Sequence, residues 1–328
     1  MKPASSNNIA PEAAPMEFSF ATAADYDVVI VGGGSAGLSA ALVLGRSCRK
    51  VLVCSSGPPR NSTSPGVHSF FTRDGIKPAE LLRVGREQLA PYPTISTREA
   101  CVTHIEVKEI GFSITMQPDR GGHPVTVSTR RVLLATGVTD DLPPIEGMRE
   151  LWGMGVLHCP YCHGWEVRSK PLAVLGQGKT AFGLGLLISR WSKDVVVCTN
   201  GPSGIKEKGM RRLERHGVVV REDRIARLEG RPTGELRHIV FENGEKLSRH
   251  ALFLHTHQRQ RSTLAEETGC RMLSSGAVWT SKKAQTSIKG IYAAGDITPA
   301  PQQAIIAAAE GSLAAIAINE SLTREECR

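Results

Sequence analysis

A Cys-x-x-Cys pair near the middle of the chain is the group of residues best suited to chemistry. Cys159 and Cys162 are separated by two residues and flanked by His158 and His163. Two cysteines at this spacing can close a small disulfide ring, and the thiolate form exchanges with other disulfides. A flanking histidine can supply positive charge or take up a proton. The pattern predicts thiol–disulfide chemistry, with His163 as the acid–base candidate and a structural or gating role as its alternative. His158 is the weaker candidate.

The cysteine pair has three alternative functions. Cys-Pro-Tyr-Cys is also a glutaredoxin sequence, but glutaredoxins place it near the start of a small fold. A zinc site needs about four ligands. The four adjacent Cys and His residues are too crowded to close a tetrahedron, and no second Cys-x-x-Cys occurs among the eight cysteines. We therefore expect no metal, and a purely structural disulfide is the third alternative.

The cysteines lie between two glycine-rich turns, and the first has the spacing Gly-x-Gly-x-x-Gly at residues 32–37. A β-branched run at 27–31 precedes it, and a helical stretch at 36–45 and a strand at 49–54 follow. In such a βαβ unit, the glycines allow the backbone to approach a pyrophosphate, and the helix N-terminus faces the phosphates. The sequence predicts a dinucleotide site at this turn.

The second turn repeats the plan 144 residues later, at residues 176–181. A strand is expected at 171–175, a helix at 181–191 and another strand at 194–198. Two such units predict an α/β protein with two Rossmann-like dinucleotide-binding domains. With no arginine beside this turn, NADP(H) binding there stays open, and a turn retained only for packing is the alternative.

Segments after the first unit complete the expected organisation. A strand at 131–134 runs to Gly137, and the proline-rich segment 142–145 is typical of a domain exit. Near the C-terminus, a strand at 291–294 leads to an acidic residue, and a helix is expected from about 302 to 318.

Composition excludes several classes of function. The chain has 328 residues and a formal net charge of +8. It has no block of like charges, so we expect no nucleic-acid binding. No apolar run reaches the length of about 18 residues that a membrane helix needs, so we expect no membrane association.

The remaining expectations concern the N-terminus and the compartment. The first 24 residues lack the pattern of a signal peptide, and we expect a flexible extension. The unpaired cysteines 48, 54, 101 and 198 lie in or beside apolar stretches, where buried thiols are expected. Such thiols favour a reducing compartment, with cytoplasm as the default.

Taken together, the motifs resemble those of the low-molecular-weight thioredoxin reductase-like flavoproteins over residues 25 to 320. The resemblance rests on the two glycine turns, the Ala-Thr-Gly segment at 135–137, the cysteine pair, and Ala-Gly-Asp at 294–296 followed by Gln-Ala. It implies an FAD-binding domain formed by residues 25–145 and 270–328. An NAD(P)-type domain carrying the cysteines, residues 146–269, is inserted in it.

The resemblance also implies which residues hold FAD. They are Gly32, Gly34, Ser35, Ala36, Gly37, Ser55, Arg60, Asn61, Val102, Gly137, Gly295, Asp296, Gln303 and Ala304. By motif position, Cys162 is expected against the flavin and Cys159 is expected to meet the substrate.

Three departures distinguish this chain from the family's reductases. Reductases have an acid–base Asp after the second cysteine, where this chain has His163. They carry an arginine pair that grips the 2′-phosphate of NADPH, where residues 199–202 are Thr-Asn-Gly-Pro. The acidic residue that contacts the FAD ribose is replaced by the segment 54–56, in which Ser55 can donate a weaker hydrogen bond.

The residues around the cysteines, together with Gly-Pro-Pro-Arg-Asn at 57–61, are similar to those of flavin dithiol oxidases that close disulfides in natural products such as gliotoxin, holomycin and romidepsin. The resemblance implies non-covalent FAD, a small-molecule dithiol substrate, O2 or NADP+ as electron acceptor, and a homodimer. The alternatives are an NADPH-dependent thioredoxin or disulfide reductase and a flavin-bound redox sensor.

Overall fold

The structure is a computed structural model that describes residues 24–328. The extension expected over residues 1–24 lies outside the described residues, apart from its last position. Within the described part, the strands are β1 (Tyr26–Val31), β2 (Val51–Ser55), β3 (Ile95–Val107), β4 (Phe112–Pro118), β5 (Val125–Leu134), β6 (Val138–Asp141), β7 (Val156–Leu157), β8 (Leu172–Leu175), β9 (Val195–Cys198), β10 (Val218–Arg221), β11 (Ile225–Gly230), β12 (Leu236–Phe241), β13 (Lys246–Ser248), β14 (Ala251–Leu254), β15 (His257–Gln260) and β16 (Ile291–Ala293). The helices are α1 (Ser35–Arg46), α2 (Pro78–Glu87), α3 (Pro160–His163), α4 (Gly178–Ile188), α5 (Glu207–Arg215), α6 (Leu264–Glu267) and α7 (Ala304–Glu326).

The first unit is built on a parallel sheet with β1 at its centre. β1 pairs with β2 on one side and β5 on the other, and β16 extends the sheet beyond β5. Val28 and Ile30 face α1 and α7, whereas Val29 and Val31 face a second apolar cluster. Because both faces are covered, the strand is a continuous apolar run, as is usual in parallel sheets.

Two long strands join this sheet to an antiparallel layer. The first half of β3 pairs in parallel with β2, and its second half pairs in antiparallel with β4. β5 divides its pairing in the same way between β4 and β1. The layer thus formed covers the sheet face opposite α1.

The second unit is a parallel five-stranded sheet in the order β10-β9-β8-β14-β7. It carries α4 and α5 and is accompanied by the antiparallel sheet β11-β12-β13. All these elements lie between β5 and β16, so this unit is inserted in the first, and the expected fold class is confirmed. α4 begins at Gly178, three residues before the expected start, because the glycine turn itself opens the helix.

The strands β6 and β15 pair with each other in antiparallel fashion where the chain passes between the units. We propose that the domain boundaries lie beside this ribbon, near residues 145 and 270.

Helix α7 is longer than expected. It continues to Glu326 instead of ending near residue 318. Its last turn is held by ion pairs, because Glu325 and Glu326 bind Arg130, whose side chain is 8% exposed. Glu326 also binds Arg49 at 2.6 Å. These partners lie far away in the sequence, so local patterns do not show them.

Among the described residues, α7 is the one helix long and apolar enough to cross a membrane, judged by length and composition. It packs against α1 so closely that a Cβ at Gly311 would lie 2.0 Å from the carbonyl oxygen of Ala36. Such packing is that of a helix inside a folded domain.

The expectation of four buried thiols is half wrong. Cys54 and Cys198 are buried, and burial raises the pKa of each to about 12. Cys48 and Cys101 are exposed. Cys48 follows the last turn of α1 with a positive φ, and Cys101 lies where β3 leaves the parallel sheet.

Candidate functional site

A cleft of about 320 Å³ runs from the first glycine turn to the cysteine pair. Of the expected site residues, only Gly37 and Cys159 do not line it. Those that do are Gly32, Gly34, Ser35, Ala36, Ser55, Arg60, Asn61, Val102, Gly137, Gly295, Asp296, Gln303, Ala304, Cys162 and His163. The fold therefore brings residues from both units to one cleft, and their individual roles stay predictions.

The glycine turn fits a dinucleotide. Gly32 has a φ of +119°, and a Cβ there would lie 2.1 Å from the carbonyl oxygen of Ala135. A Cβ at Gly34 would meet no atom within 4 Å, so the backbone is open to a ligand there, at the N-terminus of α1. Free N–H groups at a helix N-terminus bind phosphate. Gly37 lies behind the turn, where a Cβ would lie 1.8 Å from the carbonyl oxygen of Gly32, so the close backbone approach requires glycine there.

Ser55 lies directly opposite this turn. A Cβ at Gly33 would be 2.6 Å from its Oγ atom. The side chain therefore lies on the cleft wall beside the glycine turn, and its contact with the FAD ribose stays a prediction.

Arg60 is held by an ion-pair network. Its guanidinium makes two bonds of 2.6 Å to Asp140 on β6, one of 3.1 Å to Asp296 and one of 2.7 Å to Gln302. Thr256 donates to the same Asp140 carboxylate at 2.6 Å. Burial raises the pKa of Asp140, but the hydrogen bonds and charge of Arg60 outweigh it and leave this pKa below its usual range. Arg60 thus joins the cofactor cleft to the ribbon between the units.

The C-terminal part of the first unit closes the cleft. Gly295, with a φ of +84°, donates its N–H to Glu310 on α7 at 2.7 Å. Asp296 follows it at the cleft wall. Gln303 precedes the first residue of α7, Ala304, so a second helix N-terminus points at the cleft.

The cysteine pair forms a disulfide at the start of the short helix α3. Cys162 lines the cleft, whereas Cys159 is outside its lining and half-buried. The backbone N–H of Cys162 donates to the Sγ atom of Cys159 at 3.1 Å. A hydrogen bond of this kind favours the thiolate once the disulfide is reduced. The two sulfurs therefore have different surroundings, one on the cofactor side and one away from it.

His163 is half-buried beside the cleft, in surroundings that disfavour its charged form. Burial lowers the pKa of His163, and the charge of His68 acts in the same direction, whereas the Cys159 carbonyl and Glu166 oppose it. Its Nε2 atom lies 3.0 Å from the Oγ atom of Ser64. Its Nδ1 atom is buried without a hydrogen-bond partner among residues 24–328. A neutral, half-buried imidazole with a vacant ring nitrogen can accept a proton.

Two cleft residues, Trp152 and Ser64, lack a signal in the sequence, and the stacked position of His158 lacks one too. His158 stacks on Trp152 with ring centroids 5.6 Å apart, and both line the cleft. Burial, followed by the charge of Arg60, lowers the pKa of His158 to about 4. Ser64 reaches the cleft from a loop 99 residues before its histidine partner. Only the polar composition of that loop could have suggested it.

The second glycine turn is covered by the loop at residues 199–203. The N–H of Gly178, the first residue of α4, donates to the carbonyl oxygen of Ser203 at 2.7 Å. The side-chain amide of Gln177 donates to the carbonyl oxygen of Thr199 at 3.0 Å. The loop is fixed in turn, because the N–H of Ser203 donates to Glu222 at 2.9 Å. A backbone carbonyl therefore takes one of the N–H groups that a pyrophosphate would use.

Among the described residues, no arginine lies at 199–201, where the family's reductases carry the pair that grips the 2′-phosphate of NADPH. The arginine beside it in the sheet, Arg221, pairs with Asp223 and Glu245 instead.

Comparison with known proteins matches residues 26–311 to the family described as pyridine nucleotide-disulphide oxidoreductase. The chain belongs to this family. A protein of Arthroderma benhamiae described as a probable thioredoxin reductase is 36% identical over 182 residues, which span 54% of this chain and 44% of that protein. Thioredoxin reductase tcpT of Claviceps purpurea is 31% identical and spans 82% of this chain and 86% of its own. The crystal structure of HlmI is 36% identical with a TM-score of 0.83, covering 92% of this chain and 94% of that one.

Family membership makes this chain a flavin-dependent thiol–disulfide oxidoreductase with FAD as its cofactor. The open turn at Gly34 and the two helix N-termini at the cleft are what a dinucleotide needs, so the residues present fit FAD. When bound, FAD supplies a two-electron acceptor for a dithiol and can pass electrons to a second acceptor.

Proposed function

We propose that this protein is a dithiol oxidase that forms an intramolecular disulfide in a small secondary-metabolite dithiol. The observation that carries the proposal is the asymmetry of the cysteine pair: Cys162 lines the cofactor cleft and Cys159 does not. A substrate thiolate can therefore attack Cys159 from outside the cleft, where Tyr161 and Trp165 are exposed. Cys162 then leaves as a thiolate on the cofactor side.

The reaction on the protein side balances in sulfur, electrons and protons. The second substrate thiol attacks the mixed disulfide, which forms the substrate disulfide and releases Cys159. Two electrons pass from the substrate sulfurs to the enzyme disulfide, which breaks. Cys159 leaves the mixed disulfide as a thiolate, which the N–H of Cys162 stabilises, and it then takes up one of the two substrate protons. His163, next to Cys162 in the chain, takes the other. The Cys159 carbonyl, which favours the charged imidazole, supports this role.

The covered second turn supports O2 as the electron acceptor over NADP+. A nucleotide phosphate at α4 would compete with the Ser203 carbonyl for the N–H of Gly178. The 2′-phosphate of NADP(H) would also find no arginine to bind it at residues 199–201. Both features weaken binding of NADP(H) without affecting the cysteine site.

The alternative is an NADPH-dependent disulfide reductase that uses the same cysteines in the opposite direction. Its support is the family itself and the relatives that bear the name thioredoxin reductase. The sequence resemblance also implies a homodimer. Leu313 and Ile316, which are exposed one turn apart on α7, offer an apolar face for a second copy. The molecular mass in solution tests that expectation.

Anaerobic flavin absorbance separates these functions. Without oxygen, we expect dithiothreitol to bleach the flavin absorbance and NADPH to leave the flavin oxidised. When air is admitted to the bleached sample, the absorbance should recover and one hydrogen peroxide should form per dithiol oxidised. Cys162→Ser is expected to keep FAD bound and lose the bleaching, because the thiol on the cofactor side is gone. Cys327→Ser, at an exposed free cysteine, is the matched control. Fast bleaching by NADPH would establish the reductase, and bleaching of the Cys162 variant at the parental rate would refute the relay.

A further inference from the structure

We propose that Ser64 is a positioning residue that fixes the tautomer of His163, so that the proton-accepting nitrogen is Nδ1. The inference rests on the proposed dithiol oxidation for its role in turnover. Its structural part concerns only the two side chains and can be tested without catalysis.

The hydrogen bonds of Ser64 determine which ring nitrogen carries the proton. A serine hydroxyl has one hydrogen to donate and can also accept. Its Oγ atom lies 2.8 Å from the carbonyl oxygen of Gly66, which can only accept, so the hydroxyl donates there. The same oxygen lies 3.0 Å from Nε2 of His163, and it can satisfy that contact only as an acceptor. Nε2 therefore carries the hydrogen, and Nδ1 of the neutral ring has a free lone pair.

The surroundings of Nδ1 suit a proton acceptor. The atom is buried and has no partner in the described chain, which is uncommon for a buried polar group. The Cys159 carbonyl favours the protonated ring. The other charged or titratable groups facing the ring are His68, Glu166 and His158; His68 disfavours the charge and Glu166 favours it. Once protonated, Nδ1 can donate a hydrogen bond to the Cys159 carbonyl, which stabilises the charged ring.

Without the serine hydroxyl, the population of the tautomer with its hydrogen on Nδ1 should increase. The neutral ring would then place its hydrogen on Nδ1, toward the Cys159 carbonyl, because Nε2 would face no acceptor. The lone pair would point away from the cysteines, and the proton released during dithiol oxidation would have no acceptor at this position. Ser64 comes from the FAD-binding unit and His163 from the inserted one, so the tautomer also depends on how the two units pack.

Nitrogen NMR of the ring tests the proposal in the holoenzyme labelled with ¹⁵N-histidine, with the His163 signals assigned from His163→Gln. We expect the parent and Ser64→Thr to carry the hydrogen on Nε2. In Ser64→Ala the ratio of the two tautomers should shift at least about tenfold toward Nδ1–H, and dithiothreitol oxidation should slow by about tenfold or more. Ser62→Ala, at an exposed serine of the same loop, should change neither quantity.

The outcomes separate this proposal from the oxidase function. A parent enzyme with the hydrogen on Nδ1, or a Ser64→Ala variant with an unchanged tautomer, overturns the role of Ser64 even if dithiols are oxidised. The expected tautomers in an enzyme that does not oxidise dithiols would overturn the oxidase while the placement by Ser64 stands. The parent spectrum alone decides the question if Ser64→Ala fails to fold.

Discussion

Replacing Arg60 by methionine removes the cation from a buried network and leaves its two carboxylates, Asp140 and Asp296, in place. The Asp140 side chain is 4% exposed and its carboxylate receives two bonds of 2.6 Å from Arg60. Methionine keeps most of the side-chain volume, so the change acts mainly on charge. Thr256 remains as a donor to the carboxylate, but a single hydroxyl does not neutralise it.

The expected loss of unfolding free energy is about 3–5 kcal/mol, the usual cost of removing one partner of a buried ion pair. Most of this loss comes from the carboxylate left buried without a counter-ion. The double variant Arg60→Met, Asp140→Asn removes that charge, so it should recover at least half of the loss. The pKa of Asp140, now lowered by Arg60, should rise in the single variant because burial would then be opposed mainly by the hydrogen bond from Thr256.

Urea unfolding followed by circular dichroism, with FAD at the same excess over its dissociation constant for each variant, measures these free energies. FAD affinity is measured separately by fluorescence quenching. A loss below about 1 kcal/mol in Arg60→Met, or equal losses in the single and double variants, would refute the network as a structural element. A large loss of FAD affinity with unchanged stability would instead assign Arg60 to cofactor binding alone.

Two further predictions follow from packing and burial. Gly311→Ala should destabilise the protein by about 3 kcal/mol, because its methyl group would lie 2.0 Å from a backbone oxygen. Gly183→Ala, on α4 with no atom within 4 Å, should stabilise by about 0.5–1 kcal/mol, and thermal unfolding compares the two. For His158, burial lowers the pKa to about 4, so between that pH and about 6.5 the unfolded chain binds more protons than the native one. The free energy of unfolding should therefore decrease as the pH falls through this window, by up to about 3 kcal/mol. His158→Gln should flatten the dependence of the urea midpoint on pH. Parallel plots of the midpoint against pH for the parent and the variant would contradict the prediction.

The parts of the fold that the sequence predicts are those encoded by neighbouring residues. The strand before the first turn, the glycine spacing and the following helix lie within 21 residues, Tyr26 to Arg46, and the structure places them within one or two residues of expectation. The end of α7 differs from the expectation because Glu326 is fixed by Arg130, which is 196 residues away. Local hydrophobic periodicity carries no information about such a contact.

The candidate site divides in the same way. Its glycines and cysteines belong to motifs in which residue type and spacing are tied to backbone geometry. Ser64, Trp152 and the stacked position of His158 depend instead on how one unit packs on the other. The sequence shows a histidine beside a cysteine; it does not show which ring nitrogen is free, because that follows from a hydroxyl in another part of the fold.

The second unit has a structural role that does not depend on a nucleotide. Its edge strand β7 pairs with β14 and ends one residue before His158 and two before Cys159. The parallel sheet thereby holds the start of α3 against the cleft of the first unit. A change that closes the turn at Gly178 leaves β8, β9 and β14 paired, so it leaves the cysteines in position. Absence of nucleotide binding would therefore be compatible with full retention of this fold, and the proposed dithiol oxidase would still need the sheet to position its disulfide.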